Sequence, residues 1–368
     1  MIIFAIYGII FSINLFCEDN DMKNNKYICN ISQLFNVKEY RMLGGRADGL
    51  RALDVDNGKG LVFTVLADRA MDFGRVTFKG KNLNFVTPAG YVAPEYYDAR
   101  GIEFLKSFGA GFLTTCGLQS MGNPNVDAGR EHGLHGAISN IPAEQFGAKT
   151  TVDENGVATV KMSGVMREAR LGAENLTLER EITCSSDENA IYFTDTIENL
   201  GDTDMSVMTL YHFNYGYPLI DEDAEIVLPS KEVKARNADA VPGLSEWHKL
   251  QAPTAGYAEQ CFYHKLKSDE NGRSIYGVFN HELGIGAFVE YDTKTLDHFL
   301  EWKLMGEGNY VLGLEPANAT LEGRETARAD GSMKYLAPGE KIVNRFKIVF
   351  ADGEDEFDAI KKYIATLN

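Results

Sequence analysis

From Tyr27 to the carboxyl terminus the chain alternates short apolar or aromatic runs with compact polar breaks, and the runs have the length and residue types of strands. Strands are predicted at Leu61–Leu66, Val157–Met162, Leu176–Ile182, Ala190–Ile197, Ser206–Phe213, Ile275–Phe279, Gly286–Tyr291, His298–Lys303, Tyr310–Leu314 and Lys341–Phe350. Turn chemistry separates them at Asp56-Asn57-Gly58, Glu154-Asn155-Gly156, Asn199 to Asp202, Glu270-Asn271-Gly272 and Pro338-Gly339-Glu340. Many strands joined by hairpin-like turns predict an antiparallel all-β architecture. Only the end reads as helix, with Phe357, Ile360, Ile364 and Leu367 on one face behind an acidic first turn. That helix is expected to cover one side of a sheet.

The first 21 residues break the pattern. Residues 2–16 carry no charge, yet the run is too short to span a bilayer. It resembles a signal-peptide core, but only Met1 precedes it, and neither a small-residue cleavage site nor a good lipoprotein box follows. Three readings stand: translation that starts at Met22, an export signal, or a structural element. The expected organisation is therefore an extension over residues 1–21 and one domain over 22–368. Large β domains exceed 200 residues as single units, so the length does not force a second one.

Composition narrows the partners. The formal charge is 36 − 53 = −17, and basic residues nowhere cluster, which argues against nucleic acid and for a small ligand. A hydrophobic share of 44% with 24% charged residues is that of a folded globular chain. The five cysteines form no CxxC pair, as expected of reduced thiols in the cytoplasm; export remains the alternative if residues 1–21 act as a signal. No stable membrane insertion of the domain is expected, and the oligomeric state stays open. Motifs of nucleotide cofactors, metalloproteases and serine hydrolases are missing, so no cofactor is expected.

Candidate chemistry gathers in three places. Arg130 to Gly136 (REHGLHG) sets His132 and His135 on a glycine-rich loop where a ligand can reach them; the alternative is a histidine that braces the loop. Metal binding with Cys116 as third ligand has no supporting motif, and no metal is expected. Leu210 to Pro218 (LYHFNYGYP) combines His212, the amide of Asn214 and interleaved aromatics, a set that suits the hydroxyls and C–H faces of a sugar. Tyr310 to Asn318 (YVLGLEPAN) places Glu315 at the end of an apolar strand that Pro316 is expected to stop, with Trp302 of the preceding strand as an aromatic neighbour. Burial is expected to raise the carboxyl and lower the imidazole, bringing both near neutrality.

The order and context of these segments resemble the aldose 1-epimerase, or galactose mutarotase-like, superfamily, and more narrowly a poorly characterised bacterial branch of it. LHG at Leu134 to Gly136, YHFNYGYP at Tyr211 to Pro218 and GLEPAN at Gly313 to Asn318 carry the resemblance, supported by LADRAMDFG at Leu66 to Gly74 and TCGL at Thr115 to Leu118. It covers most of the chain from about Met22. The resemblance implies a β-supersandwich of two large antiparallel sheets with a sugar cleft on one of them, and an isomerase that interconverts the α and β anomers of an aldose or modified sugar. It implies that Glu315 takes the anomeric proton, that His212 protonates the ring oxygen and that His135 helps hold the hemiacetal, so that the acid limb of a pH profile would belong to the carboxylate and the alkaline limb to the imidazolium.

Two departures from the galactose enzymes touch specificity. Their arginine motif before the first histidine is absent as such, leaving Arg69 with Asp72 as the nearest substitute at the cleft, where a structural salt bridge is the alternative. Their aspartate for distal hydroxyls has no clear counterpart, although Glu246, Trp247 and His248 lie in the right region. Substrate contacts are accordingly expected from Arg69, Asp72, His132, Asn214 and Trp302. A catalytically silent sugar-binding protein and an accessory domain of a polysaccharide-processing enzyme are the other readings, and measured turnover separates the first of them from an enzyme. Because strand pattern and turn chemistry begin only after Met22, a chain begun there should keep the melting temperature and ligand binding of the full one. Loss of soluble folded protein on that truncation would make the extension structural.

Overall fold

The computed structural model describes residues 25–368, so the predicted extension over residues 1–21 lies outside the described residues. An eight-stranded antiparallel sheet runs in the order Glu144–Val152, Ala158–Ala169, Asn175–Ser185, Ala190–Asn199, Lys341–Asp352, Ile285–Asp292, Arg273–Asn280, Glu225–Val227. A six-stranded antiparallel sheet runs Ser230–Ala235, Gln260–Leu266, His298–Gly306, Asn309–Ala317, Leu210–Gly216, Leu113–Cys116. A third, five-stranded sheet is built by the first part of the described chain and includes Leu61–Leu66 and Asp72–Phe78. This is an antiparallel all-β architecture, as the strand and turn pattern predicts. The helix Glu354–Ile364 lies on the eight-stranded sheet, with Phe357 stacked on Phe279 at 4.2 Å between ring centroids, as its apolar spacing predicts.

Strand alternation fixes what each face does. Along Leu210–Gly216, Tyr211, Phe213 and Tyr215 enter the core between the large sheets, where Tyr211 meets Phe346 at 4.5 Å and Phe213 meets Tyr276 at 6.3 Å. Each fully buried ring contributes about 1.5–3 kcal/mol by leaving water. His212 and Asn214 therefore point to the opposite face.

Three local expectations are corrected. The run Ser206–Phe213 is not one strand: Met205–Ser206 pairs with Tyr335–Leu336, and Leu210–Gly216 then joins the six-stranded sheet. The turn at Glu270-Asn271-Gly272 does not close a hairpin, because Gln260–Leu266 and Arg273–Asn280 belong to different sheets. Pro316 does not stop its strand, which continues to Ala317 with Glu315 inside it, paired to Leu300. On the side of Leu210–Gly216 the ladder holds at Leu210↔Ala317 and Phe213↔Leu314 but not between them, so the donor that proline lacks falls in an interruption of the pairing.

The sheets are tied by one buried network. Arg180 donates to both carboxylate oxygens of Asp195 at 2.7 and 2.6 Å, to Asp72 at 2.8 Å and to the Thr115 hydroxyl at 2.9 Å. Tyr211 donates its hydroxyl to Asp195 at 2.9 Å, and Asn344 donates to that hydroxyl at 3.1 Å. Burial alone would lower the Arg180 pKa, but Asp195 and Asp72 more than reverse the shift and keep the guanidinium charged. Arg180→Met would leave both carboxylates buried without their counter-charge. It should cost roughly 3–5 kcal/mol in chemical denaturation, whereas a loss under about 1 kcal/mol would show the network to be dispensable.

Candidate active site

The interrupted ladder sets His212 and Glu315 facing each other. Registers Leu210↔Ala317 and Phe213↔Leu314 place position 212 opposite position 315 on one face, and His212 Nε2 lies 3.2 Å from Glu315 Oε1. The pair is close but not aligned as a hydrogen bond: Glu315 Oε1 and His212 Nδ1 both lack a partner while buried. Gly313 makes the arrangement possible, since a Cβ there would sit 2.4 Å from Glu315 Oε1 and 3.0 Å from the Trp302 Cβ. Next along the same face, Asn214 donates its amide to the His212 carbonyl at 2.9 Å and leaves its buried Oδ1 unpaired.

The third histidine arrives from the glycine loop. His135 adopts a left-handed backbone at φ 59°, and the loop is stitched down by His135 N–H to Gly122 O and Gly117 N–H to His135 O, each 3.0 Å. Holding a residue with a Cβ there costs of order 1–3 kcal/mol, met by these bonds. The His135 ring lies 5.7 Å from that of His212 and 5.4 Å from Phe104, while His212 also meets Phe108 at 5.4 Å and Trp302 at 5.2 Å. Trp302 donates its indole N–H to Glu259 at 2.9 Å, and the Arg236 guanidinium, bonded to Glu322 at 3.0 Å, acts electrostatically on both His135 and Glu315.

Burial shifts both groups in the expected directions and carries the imidazole past neutrality. Desolvation pushes the Glu315 carboxyl well above its ordinary range, aided by Glu259 and opposed by Arg236. Desolvation, with His135 beside it, lowers His212 to about 3, and desolvation with Arg236 lowers His135 to about 4. Burial thus favours the protonated carboxyl and the unprotonated imidazole, because that form separates no charge in a dry site.

The other expected residues divide. Trp302 and Asn214 share the face of the pair. Arg69 is buried, donates to Val92 O at 2.8 Å and lines a narrow cleft with Tyr91 and Thr114, the residue cross-strand from His212. Burial lowers its pKa to about 10. Asp72 lines the same cleft and acts electrostatically on Arg69 but is not hydrogen-bonded to it: its carboxylate is taken by Arg180 and by the N–H and hydroxyl of Thr115. His132 stands apart from the ring cluster, beside Arg324 and Arg130, where burial and those charges lower it to about 4. Nor do Glu246, Trp247 and His248 approach Glu315. The carbonyls of Glu246 and Trp247 accept from Lys303 Nζ at 3.0 and 3.2 Å, and strand alternation puts Lys303 on the face opposite Trp302. Among the described residues no group of three or more His, Cys, Asp or Glu is placed to hold a metal, and no helix is long and apolar enough to cross a membrane.

Sequence reading missed Phe104, Phe108, Arg236 and Glu259. The two phenylalanines sit in an irregular segment whose only signal is a pair of rings four apart, and Arg236 follows an edge strand that the pattern did not reveal.

A sequence profile described as a domain of unknown function, DUF4432, matches residues 47–349. No curated protein matches the chain. Among solved structures, a candidate aldose 1-epimerase from Klebsiella pneumoniae is 23% identical over 90% of this chain and 87% of its own, with a TM-score of 0.84. A galactose mutarotase-like protein from Clostridium acetobutylicum is 14% identical over 87% of this chain and 99% of its own, with a TM-score of 0.56. The galactose 1-epimerase from Lactobacillus acidophilus is 12% identical over 87% and 100%, with a TM-score of 0.53. At these identities the likeness is one of fold.

The lowered histidines carry a consequence for stability. Their folded pKa values lie below the unfolded value of 6.5, so the unfolded chain binds protons first and stability falls as pH drops from 6.5 toward 3 or 4. Glu315 contributes the opposite slope, since its raised carboxyl binds its proton more tightly in the folded state. Comparing His212→Asn with the parent isolates the imidazole: the variant should lose less stability between pH 7 and pH 4 in denaturant titrations. An unchanged slope would mean that His212 takes its proton in the folded protein as readily as in the unfolded chain.

Proposed function

The chain belongs to the DUF4432 family, and from that premise and the fold we propose that it is an aldose 1-epimerase-like isomerase, one domain over residues 22–368 working in the cytoplasm on the anomers of an aldose or modified sugar. The observation that carries this reading is the buried His212–Glu315 pair, 3.2 Å apart, with His135 alongside. A silent sugar-binding protein has no need to bury a facing acid and base that lack other partners.

Opening a hemiacetal takes a proton from the anomeric hydroxyl and gives one to the ring oxygen while the bond from the anomeric carbon to the ring oxygen breaks. The two oxygens share one carbon, so the acid and base must also be neighbours. With the proton on the carboxyl, Glu315 protonates the ring oxygen and His212 Nε2 accepts the anomeric proton. The open aldehyde turns about the adjoining carbon–carbon bond, the hydroxyl attacks the other face of the carbonyl, and both protons return. The alternative starting form, carboxylate with imidazolium, has the same net charge and runs the same cycle with the roles exchanged. The family-like assignment of Glu315 as base and His212 as acid describes that second form; burial favours the first. His135 Nδ1, buried and unpaired, is available to hold the carbonyl oxygen as it forms.

The cycle needs one proton on the pair. Activity should therefore be level across neutrality, fall in acid as His212 gains a second proton around its lowered value of about 3, and fall in alkali as Glu315 loses the only one. This reverses the limbs implied by the resemblance. Glu315→Gln, which keeps shape but cannot exchange a proton in this way, should lower turnover on the order of a hundredfold or more with sugar affinity little changed. His212→Asn should do the same. Wild-type anomer exchange in either variant, measured by magnetisation transfer on a sugar the parent converts, would refute the assignment.

A further inference from the structure

Arg69 is a buried charge that the proposed reaction leaves unused. It is 6% exposed, and its one side-chain hydrogen bond runs from Nη1 to Val92 O at 2.8 Å. Nε and Nη2 have no acceptor among the described residues, yet neither is sealed from solvent, so both are reached from the cleft that Arg69 lines with Gly109 and Thr114. Asp72 lines that cleft too and answers the charge without a hydrogen bond, since both its oxygens already accept from Arg180 and Thr115. The Thr114 hydroxyl is committed as a donor to Ala110 O at 2.8 Å. Burial lowers Arg69 to about 10, which leaves it charged at neutral pH.

The cleft adjoins the face of the His212–Glu315 pair. Thr114 on its wall is cross-strand from His212. Tyr97, which acts electrostatically on Arg69, donates its hydroxyl at 2.9 Å to the carbonyl of Gly136, the residue after His135. The turn that presents Arg69 holds Ala70 and Met71 in succession in the left-handed region, at φ 52° and 56°. Residues with a Cβ keep that conformation only under strain, which persists where a turn serves a site.

The space beside the guanidinium is narrow and admits an oxygen-sized group rather than a sugar ring. Donors outnumber open acceptors there, so the group that satisfies it best is one that only accepts. Arg236 also has unengaged N–H groups, but Glu322 is bonded to it and Glu259 shares its surroundings at Cys261 and Glu315, so carboxylates already answer its charge. Resting on the mutarotase reading, we infer that the Arg69 cleft takes the anionic group of an acidic aldose, a carboxylate or phosphate carried on the sugar, while the anomeric carbon lies at Glu315 and His212. Such a group supplies the hydrogen-bonded counter-charge that Asp72 does not.

The full chain should convert an acidic aldose at least about tenfold more efficiently in kcat/KM than its neutral parent, because charge-assisted hydrogen bonds to a buried guanidinium are among the stronger ones. Arg69→Gln, which removes the charge, should bring that ratio close to one, chiefly through KM. Arg69→Lys, charged but without the planar fork, should keep part of it.

The test is anomer exchange by magnetisation-transfer NMR over matched sets of a neutral aldose, its uronic acid and its 6-phosphate, using the full chain and both variants, with melting temperature read for each protein to establish folding. A preference for an anionic member that falls in folded Arg69→Gln supports the inference, and the member that leads identifies the anion. Equal or better conversion of the neutral parents, or a preference that folded Arg69→Gln leaves unchanged, overturns the inference while the mutarotase reading stands. Exchange of no sugar above the buffer rate overturns that reading instead. Calorimetric titration with the same sets then decides the inference by itself: tighter binding of an anionic member supports it, and equal or weaker binding sinks it. Should Arg69→Gln fail to fold, Arg69→Lys is read in its place, and should neither fold, the ratio in the parent chain decides.

Discussion

The guanidinium of Arg180 is the interaction on which the rest of the architecture leans. It projects from the eight-stranded sheet and binds Asp195 of the same sheet, Asp72 of the five-stranded sheet and the Thr115 hydroxyl of the six-stranded sheet, with no exposure to water. Burying it is costly, and its attraction to two carboxylates offsets that cost only where the sheets meet in this one register. Its reach extends through alternation. Thr115 and Tyr211 are held on the core side by Asp72, Arg180 and Asp195, so their neighbours Thr114 and His212 must face the other way. A core network thus orients a site it does not touch.

On that other face the same logic of burial sets the chemistry. Glu315 and His212 approach because the ladder is interrupted at Pro316 and because Gly313 has no Cβ to block the carboxylate. Removing water from both groups raises the carboxyl and lowers the imidazole, which favours the proton on the carboxyl. Such a pair carries no net charge before, during or after an anomeric interconversion, which suits a dry site lined by aromatic rings.

A second pair shows how much depends on the face. His264 Nε2 lies 3.0 Å from Glu301, and its Nδ1 lies 2.9 Å from the Ser230 hydroxyl. By composition it is as promising as His212 with Glu315. It faces the side covered by the segment around Trp247, whose ring packs on His264 at 4.9 Å. There the pair leaves one unpaired buried atom, Glu301 Oε1, whereas four, on His135, His212, Asn214 and Glu315, gather on the opposite face.

Much of this was legible in the residues. Strand runs, turn dipeptides and the spacing of Phe357 to Leu367 are local properties, and they predicted the all-β class and the covering helix. The three segments holding His135, His212 and Glu315 stood out because glycine, proline and ionisable groups in apolar surroundings are unusual at short range. What stayed hidden depends on which strands become neighbours. Asp72 looked like the partner of Arg69 three residues away, but a carboxylate pairs with whichever charge the sheets bring to it, and that was Arg180, more than a hundred residues on. Glu246 to His248 lay in the right part of the chain and on the wrong face of the sheet. Phe104 and Phe108 became walls of the site only when their segment folded over two histidines from other elements. The sequence determined which groups could do proton chemistry. Long-range register and burial decided which of them meet, which carries the proton and what surrounds them, because both depend on contacts between residues far apart in the chain.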